Sequence, residues 1–360
     1  IYTALNTLSL HDALPIFSRH PEWKMDDRRL LNSIDYKKGT IKINGKEYPM
    51  RSCNFPTIDP KNPDKLTKEE EAIIERLHQS FTSSEKLRGH IRSLLRHGCM
   101  YNIFNHNLLY HASIPLTKDG ELKEVELKPG LKLKGKELMY QTGMLIRSAF
   151  QVPTDEEGEE ERDYAIDYFL YLWCGPDSPL FDKDKMATFE RYFIADKETH
   201  QEEKGYYFSM RDDEKVVDMI LDEFGVEQPN RHIINGHVPV HVVKGENPIK
   251  ANGKLMVIDG GFSQAYHKET GIAGYTLVFH SRGFQLVQHE PFTSTEDAIE
   301  RGTDIVSTMQ IVEMNERRLR VEDTDKGREL RHQIDALKEL LYAYRSGFLT
   351  EHERKNPPKI

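Results

Sequence analysis

Two histidines at the ends of short apolar runs are the residues of this sequence best suited to chemistry. The run LLY at residues 108–110 leads into His111, and the run IING at residues 233–236 leads into His237. In both places a proline follows within four residues, so each imidazole lies where a predicted strand gives way to a loop. A strand end holds the ring in a fixed orientation and leaves a nitrogen open to a metal ion or a substrate.

A second interpretation of these histidines is structural. Each ring could simply form a hydrogen bond at the rim of a sheet, because histidine is common at partly buried positions. The two residues are 126 positions apart, so spacing alone does not show that they meet.

Other candidate residues concern substrate binding. Asp259 and Gly260 follow the apolar run 255–258 and could line a site through their backbone, although a plain strand-ending turn explains them equally well. Lys250 and Arg191 could neutralise a second phosphate group. Three further cations could do the same: Lys254, Arg211 and Arg282. Most such side chains form surface ion pairs. The sequence contains no P-loop, dinucleotide fingerprint, H-E-x-x-H motif or nucleophile elbow, so it assigns no catalytic residue.

The elements around these residues predict a mixed α/β chain. Asn44-Gly45 between alternating apolar residues predicts a type I′ hairpin, and Thr67 with Glu70 forms a capping box that begins a helix. Residues 164–225 have mostly helical spacing, whereas residues 231–292 are dominated by strands.

Bulk composition excludes several classes of protein. The formal net charge of −9 does not favour binding to nucleic acid or to acidic membranes. Three widely spaced cysteines predict neither a disulfide framework nor a zinc ribbon and are typical of a reducing cytoplasm. No apolar run is long enough to span a bilayer.

Four blocks of sequence resemble the class III fructose-1,6-bisphosphatases of bacteria, which are calcineurin-like metallophosphoesterases. The blocks are WKMDDRRLL from residue 23, LLYHASIPL from residue 108, MATFERYFIADKETHQEEKGYYF from residue 186 and the long block that begins IINGHVPVHVVKGENPIKANGK at residue 233. The likeness extends from about residue 18 to the end of the chain.

The resemblance implies a β-sandwich flanked by helices and a site with two metal ions, typically manganese. It implies that His111 and His237 are ligands of one ion, and that a metal-activated water hydrolyses fructose 1,6-bisphosphate to fructose 6-phosphate and phosphate in gluconeogenesis. The partner would be a small sugar bisphosphate, with an oligomer possible and with neither nucleic acid nor membrane involved.

The acidic blocks of that superfamily, D-x-H-G, G-D-x-x-D-R-G and G-N-H-[DE], do not occur in the 360 residues. We therefore expect an incomplete fold that corresponds to the C-terminal part of one metallophosphoesterase domain, at residues 18–360, and that is inactive alone. This part would contain a large helical insertion at about 116–230 and a helical tail at about 294–360. Residues 1–17, which include LSLHDALPI, resemble a translated sequencing adapter and are set aside as non-native.

Two alternative functions stay open at this point. One is another calcineurin-like phosphoesterase, acting on phosphoproteins or dinucleotides; the helical insertion between the histidines argues against it. The other is a non-catalytic scaffold module, which would have to cover its sheet edges and apolar patches.

Overall fold

The computed structural model describes residues 16–227, 230–292, 294–302 and 307–349. The chain divides into two compact units. The first comprises Ile1–Val240 and Glu246–Asp259, and the second comprises His241–Gly245 and Gly260–Ile360. The prediction of mixed α and β structure is confirmed in both units.

The strands of the first unit form three sheets. They are β1 (Ile34–Asp35), β2 (Thr40–Ile43), β3 (Lys46–Pro49), β4 (Tyr101–Phe104), β5 (Asn107–Tyr110), β6 (Val125–Lys128), β7 (Leu131–Leu133), β8 (His232–Asn235), β9 (Ile249–Lys250) and β10 (Leu255–Val257). The largest sheet has the order β4-β5-β8-β10-β9. Its central strand β8 runs parallel to both β5 and β10.

Burial follows from this topology. Every residue of β8 and of β10 is buried, as is typical of apolar runs in the middle of a parallel sheet. The outer strands β4 and β9 pair in antiparallel orientation with their neighbours. The three parallel strands therefore end at one common edge, which we call the carboxyl edge.

Helices surround the sheets of the first unit. The labelled helices are α1 (Lys68–Thr82), α2 (Glu85–His97), α3 (Gly135–Ser148), α4 (Glu156–Cys174), α5 (Thr188–Phe193), α6 (Tyr207–Met210) and α7 (Glu214–Glu223). Residues 16–19 are also helical. Helix α7 buries Val217, Ile220 and Leu221 and contacts β8. The expected helical insertion therefore contains α3 to α7, together with the hairpin β6-β7.

Two local predictions in this unit are confirmed. Asn44 and Gly45 connect β2 to β3 with positive φ angles of 48° and 82°, as a type I′ turn requires. The Thr67 side chain accepts a hydrogen bond from the backbone of Glu70, whose side chain in turn accepts one from Thr67, so the capping box is present.

The segment that was set aside as non-native lies mainly outside the described ranges. Residues 1–15 are not described. Phe17 at its end is buried in a core cluster with Trp23 and Met25 and with residues of α3 and α4.

The second unit is built on a three-stranded antiparallel sheet. Its elements are β11 (Gly274–His280), β12 (Gly283–His289), β13 (Ser307–Met314), α8 (His267–Thr270), α9 (Thr295–Arg301) and α10 (Asp325–Arg345). The tail at 294–360 was expected to be helical. It contains α9 and α10, but it also contains β13, which pairs with β12 in antiparallel orientation.

The apolar stripe of α10 faces solvent. Ile334, Leu337 and Leu341 are 50%, 64% and 48% exposed. No helix in the described ranges is long and apolar enough to cross a membrane.

Candidate metal centre

The register of the sheet brings the two predicted histidines to the carboxyl edge. Leu109 of β5 pairs with Ile234 of β8 in parallel, and just beyond the paired residues the Gly236 amide donates a hydrogen bond of 2.9 Å to the carbonyl oxygen of His111. Each histidine therefore follows the end of one of two neighbouring strands. Parallel pairing of these strands brings the two residues together although they are far apart in the sequence.

The two imidazoles are in direct contact. Nε2 of His111 lies 3.1 Å from Nδ1 of His237, and the ring centroids are 4.9 Å apart at an interplanar angle of 62°. His111 is exposed and His237 is partly buried. The ring pair is therefore more open to solvent on the side of His111.

The backbone around His237 is unusual. His237 has a φ of 69°, in the left-handed region that residues other than glycine seldom occupy. Gly236 before it packs closely, because a Cβ at that position would lie 3.5 Å from Cβ of Asp259 and 3.9 Å from the carbonyl oxygen of His111. The turn after β8 therefore aims His237 back towards His111, at a cost in backbone strain that is typical of functional sites.

Both rings have a pKa below the ordinary value of histidine. Burial, assisted by the neighbouring His111 and Lys183, lowers the pKa of His237 to about 4. Burial also lowers the pKa of His111, although the carboxylate of Asp259 opposes that shift. Neutral imidazole is the form that binds a metal ion.

A buried polar network lies behind the histidines. The Asn235 amide donates hydrogen bonds of 2.8 Å to the carbonyl oxygen of Ala112 and to the hydroxyl of Tyr207. The hydroxyl of Tyr110 donates to the same Tyr207 oxygen at 2.8 Å. This network ties α6 to the ends of β5 and β8, and burial raises the pKa of both tyrosines well above the ordinary range.

Asp182 is a buried acid near the same network. Burial raises its pKa to about 6, partly offset by the hydroxyl of Ser113. The Asp182 carboxylate packs on the Cα of Gly205, where a Cβ would come within 2.0 Å of Oδ1.

The histidine pair fits two ligands of one ion but does not complete a site. For metal–nitrogen bonds of about 2.1–2.2 Å, a separation of 3.1 Å corresponds to an angle of about 90–95° at the ion. Within the part of the chain that the structure describes, no group of three or more His, Cys, Asp or Glu side chains is arranged to hold a metal. The structure therefore supplies a pair of neutral nitrogens and no complete coordination shell.

Two of the residues predicted for substrate contact share an acid with a neighbouring cation: Lys250 shares Glu246 with Arg211, and Arg191 shares Glu202 with Lys183. Asp259 acts on the pKa of His111 and lies in the first unit, whereas Gly260 belongs to the second unit, where it packs on Gly274. Arg191 is exposed and pairs with Glu202 at 2.8 Å. Lys250 pairs with Glu246 at 3.5 Å.

Sequence reasoning missed Lys183 and Lys204, which are both near His237. Each lowers the pKa of that histidine. They are 21 positions apart and meet through an isolated antiparallel bridge, so no local spacing could have indicated them. Tyr207 and Asp182 were missed for the same reason.

Comparison with known proteins identifies the family. The family model described as Firmicute fructose-1,6-bisphosphatase matches residues 1–346, a range that begins ahead of residue 18. The chain therefore belongs to the fructose-1,6-bisphosphatase family of class 3.

Curated relatives support this assignment. The chain is 60% identical over 352 residues to a class 3 fructose-1,6-bisphosphatase of Phocaeicola vulgatus, covering 98% of this chain and 52% of the relative. It is 54% identical over 351 residues to that of Bacteroides thetaiotaomicron (98% and 52%). It is 51% identical over 351 residues to that of Clostridium botulinum (98% and 53%). The chain thus spans about half the length of the curated relatives it matches. No solved structure matches it.

Proposed function

We propose that this chain is part of a manganese-dependent phosphatase that hydrolyses fructose 1,6-bisphosphate to fructose 6-phosphate and phosphate in cytoplasmic gluconeogenesis. The single observation that carries the proposal is the contact of His111 and His237 at the carboxyl edge in a chain of this family. Because the chain spans about half the length of its relatives, the proposal concerns a protein of the relatives' length.

His111 and His237 are the proposed ligands of one ion. The angle of about 90–95° that their separation implies is close to that between neighbouring ligands of an octahedral ion such as manganese. The low pKa of His237 keeps its nitrogen available without competition from protons near neutrality. A second ion and the acidic ligands belong to the superfamily's site rather than to the described residues.

A bound pair of metal ions would supply an activated water and would stabilise the negative charge that develops on the phosphoryl oxygens. The chain's own contribution is positional. Parallel pairing of β5 and β8 places the rings, and the hydrogen bonds of Asn235 and Tyr207 fix the strand ends that carry them. The finer fold that goes with this proposal is the metallophosphoesterase β-sandwich.

The test is an assay of the protein at the length of its relatives, with this sequence in place. With manganese we expect release of phosphate from fructose 1,6-bisphosphate and loss of activity in a metal chelator. The 360 residues alone should be inactive, because the described part holds no third ligand. A longer protein that hydrolyses a phosphoprotein or a dinucleotide and leaves the sugar bisphosphate intact would overturn the proposal.

A further inference from the structure

Three basic side chains form a cluster near the histidine pair. They are Lys183, Lys204 and Arg211, which we call the cation cluster. Lys183 and Lys204 face each other across an isolated antiparallel bridge. Two backbone hydrogen bonds flank this bridge: the Gly205 amide donates to the carbonyl oxygen of Asp182 at 2.8 Å, and the Asp184 amide donates to that of Glu203 at 2.9 Å. Like charges directly opposite each other across such a bridge destabilise it.

Arg211 joins the lysines through an aromatic ring. The Cζ atom of Arg211 lies 5.8 Å from the centroid of Phe208, and Nζ of Lys204 lies 5.9 Å from the same centroid. Both cations are within the range of a cation–π contact with one ring. The cluster therefore brings together three positive charges from positions 183, 204 and 211 of the sequence.

The negative charges nearby do not satisfy the cluster. Nη2 of Arg211 donates to Glu246 at 2.8 Å, and Lys183 lies 3.4 Å from Glu202. Lys204 has no ion-pair partner among the residues that the structure describes. Burial, followed by the charges of Lys183 and Arg211, lowers the pKa of Lys204.

The guanidinium of Arg211 carries the strongest sign of a missing partner. Arg211 is only 6% exposed, and its Nη1 is buried with no hydrogen-bond partner among the residues that the structure describes. A buried donor of a charged group without a partner is expensive, so such a group is normally paired. An anion that accepts from Nη1 would remove this cost.

The cluster is anchored to the carboxyl edge. Lys204 and Arg211 flank α6, whose Tyr207 hydroxyl is bonded to Tyr110 and Asn235, directly behind the histidines. Lys183 and Lys204 both act electrostatically on His237. The cations therefore lie on segments that adjoin the buried network behind the histidine pair.

We propose that Lys183, Lys204 and Arg211 bind the phosphate group of the substrate that is not cleaved, while the histidine pair serves the phosphate that is. This inference rests on the proposed function. A substrate with two phosphate groups needs two anion sites, and a guanidinium with a free donor beside two ammonium groups is suited to a phosphate dianion. The cluster thus selects bisphosphates over monophosphates.

The experiment compares two substrates in the protein of the relatives' length with manganese. The variants are Lys204→Met and Arg211→Met. For fructose 1,6-bisphosphate we expect kcat/KM to fall about 10- to 100-fold per substitution, mainly through KM, since each removes a charged hydrogen bond. For fructose 1-phosphate, which lacks the second phosphate, we expect less than a threefold change. Lys42→Met and Arg76→Met, both at exposed positions, are the controls and should leave both substrates unaffected.

Each outcome has a distinct meaning. Equal losses on both substrates would place the cluster at the cleaved phosphate and overturn the inference, as would unchanged kinetics on both. Failure of the unsubstituted protein to hydrolyse fructose 1,6-bisphosphate contradicts the proposed function instead. If Arg211→Met does not fold, Lys204→Met decides the matter, because Lys204 forms no ion pair with the described residues that the fold would lose.

Discussion

The two ends of the parallel strands differ in how their charges are satisfied. At the amino ends, Arg231 precedes β8 and Lys254 precedes β10, and both pair with Asp218 of α7, at 3.1 Å and 2.6 Å. At the carboxyl ends the two histidines meet each other. Among the residues that the structure describes, a nearby lysine has no ion-pair partner and a buried guanidinium nitrogen has no hydrogen-bond partner.

The difference separates structural charges from functional ones. Lys254 and Arg231 are paired with acids, so they require nothing from outside the protein. The polar groups of the carboxyl edge are positioned at a cost in strain, desolvation and like-charge repulsion, and such costs cluster where a protein binds a ligand. The following predictions test whether the two ends differ in function as they do in structure.

The largest effect is expected for the histidines. In the protein of the relatives' length, His111→Ala or His237→Ala should lower manganese-dependent hydrolysis by at least about 100-fold, because even groups that only orient a metal ligand contribute 10- to 100-fold. The double variant should hydrolyse the substrate about as fast as the less active of the two single variants, since both rings serve one ion.

The control for this comparison is His78→Ala, which alters an exposed histidine of α1 and should leave kcat/KM unchanged. Losses that multiply in the double variant would show that the two rings act on separate events, against the shared-ion account.

Asp182 should make stability depend on pH. Its folded pKa of about 6 lies above the ordinary aspartate value, so its stabilising contribution is full at about pH 4 and is lost as the pH rises through 6. Asp182→Asn removes this loss, and asparagine tolerates the φ of 47° at this position. Relative to the unsubstituted protein, the variant should gain about 2 kcal/mol between pH 4 and pH 7.

Urea unfolding of both proteins at the two pH values measures this difference. A stability difference that is the same at pH 4 and pH 7 would mean that Asp182 is ionised normally in the folded state.

A smaller effect is expected from Tyr207→Phe. Loss of the hydroxyl leaves Tyr110 without its acceptor and removes one of the two partners of the Asn235 amide, so the free energy of unfolding should fall by about 1–3 kcal/mol. The neighbouring exposed Tyr206 provides the control, because Tyr206→Phe should change stability by less than about 0.5 kcal/mol. Equal effects at both positions would argue against the network.

The smallest effect belongs to the amino ends. Lys254→Met breaks ion pairs with Asp218 and Glu214, yet these are partly exposed and should contribute no more than about 1 kcal/mol to the free energy of unfolding. Hydrolysis should be unaffected. A clear loss of activity in a stable Lys254→Met protein would mean that the amino ends also take part in function.

The sequence predicted those turns and helix ends that are determined by interactions between neighbouring residues. Asn44-Gly45 specified its turn and Thr67 its helix start because their side chains or conformational freedom satisfy the backbone nearby. β13 was not predicted, because its strand conformation depends on pairing with β12.

The site was predictable only in part. The sequence identified His111 and His237 as residues at strand ends, but their contact depends on the parallel pairing of strands far apart in the chain. The proximity of Lys183 to Lys204 depends on a single bridge between segments that are far apart in the sequence. Residues brought together by tertiary structure alone leave no periodic signal in the sequence.

The most direct test of the metal site is anomalous diffraction at the manganese edge from the protein at the length of its relatives. The account predicts an ion bonded to Nε2 of His111 and Nδ1 of His237 at about 2.1–2.2 Å from each. Manganese bound away from these nitrogens, with the two rings still hydrogen-bonded to each other, would contradict it.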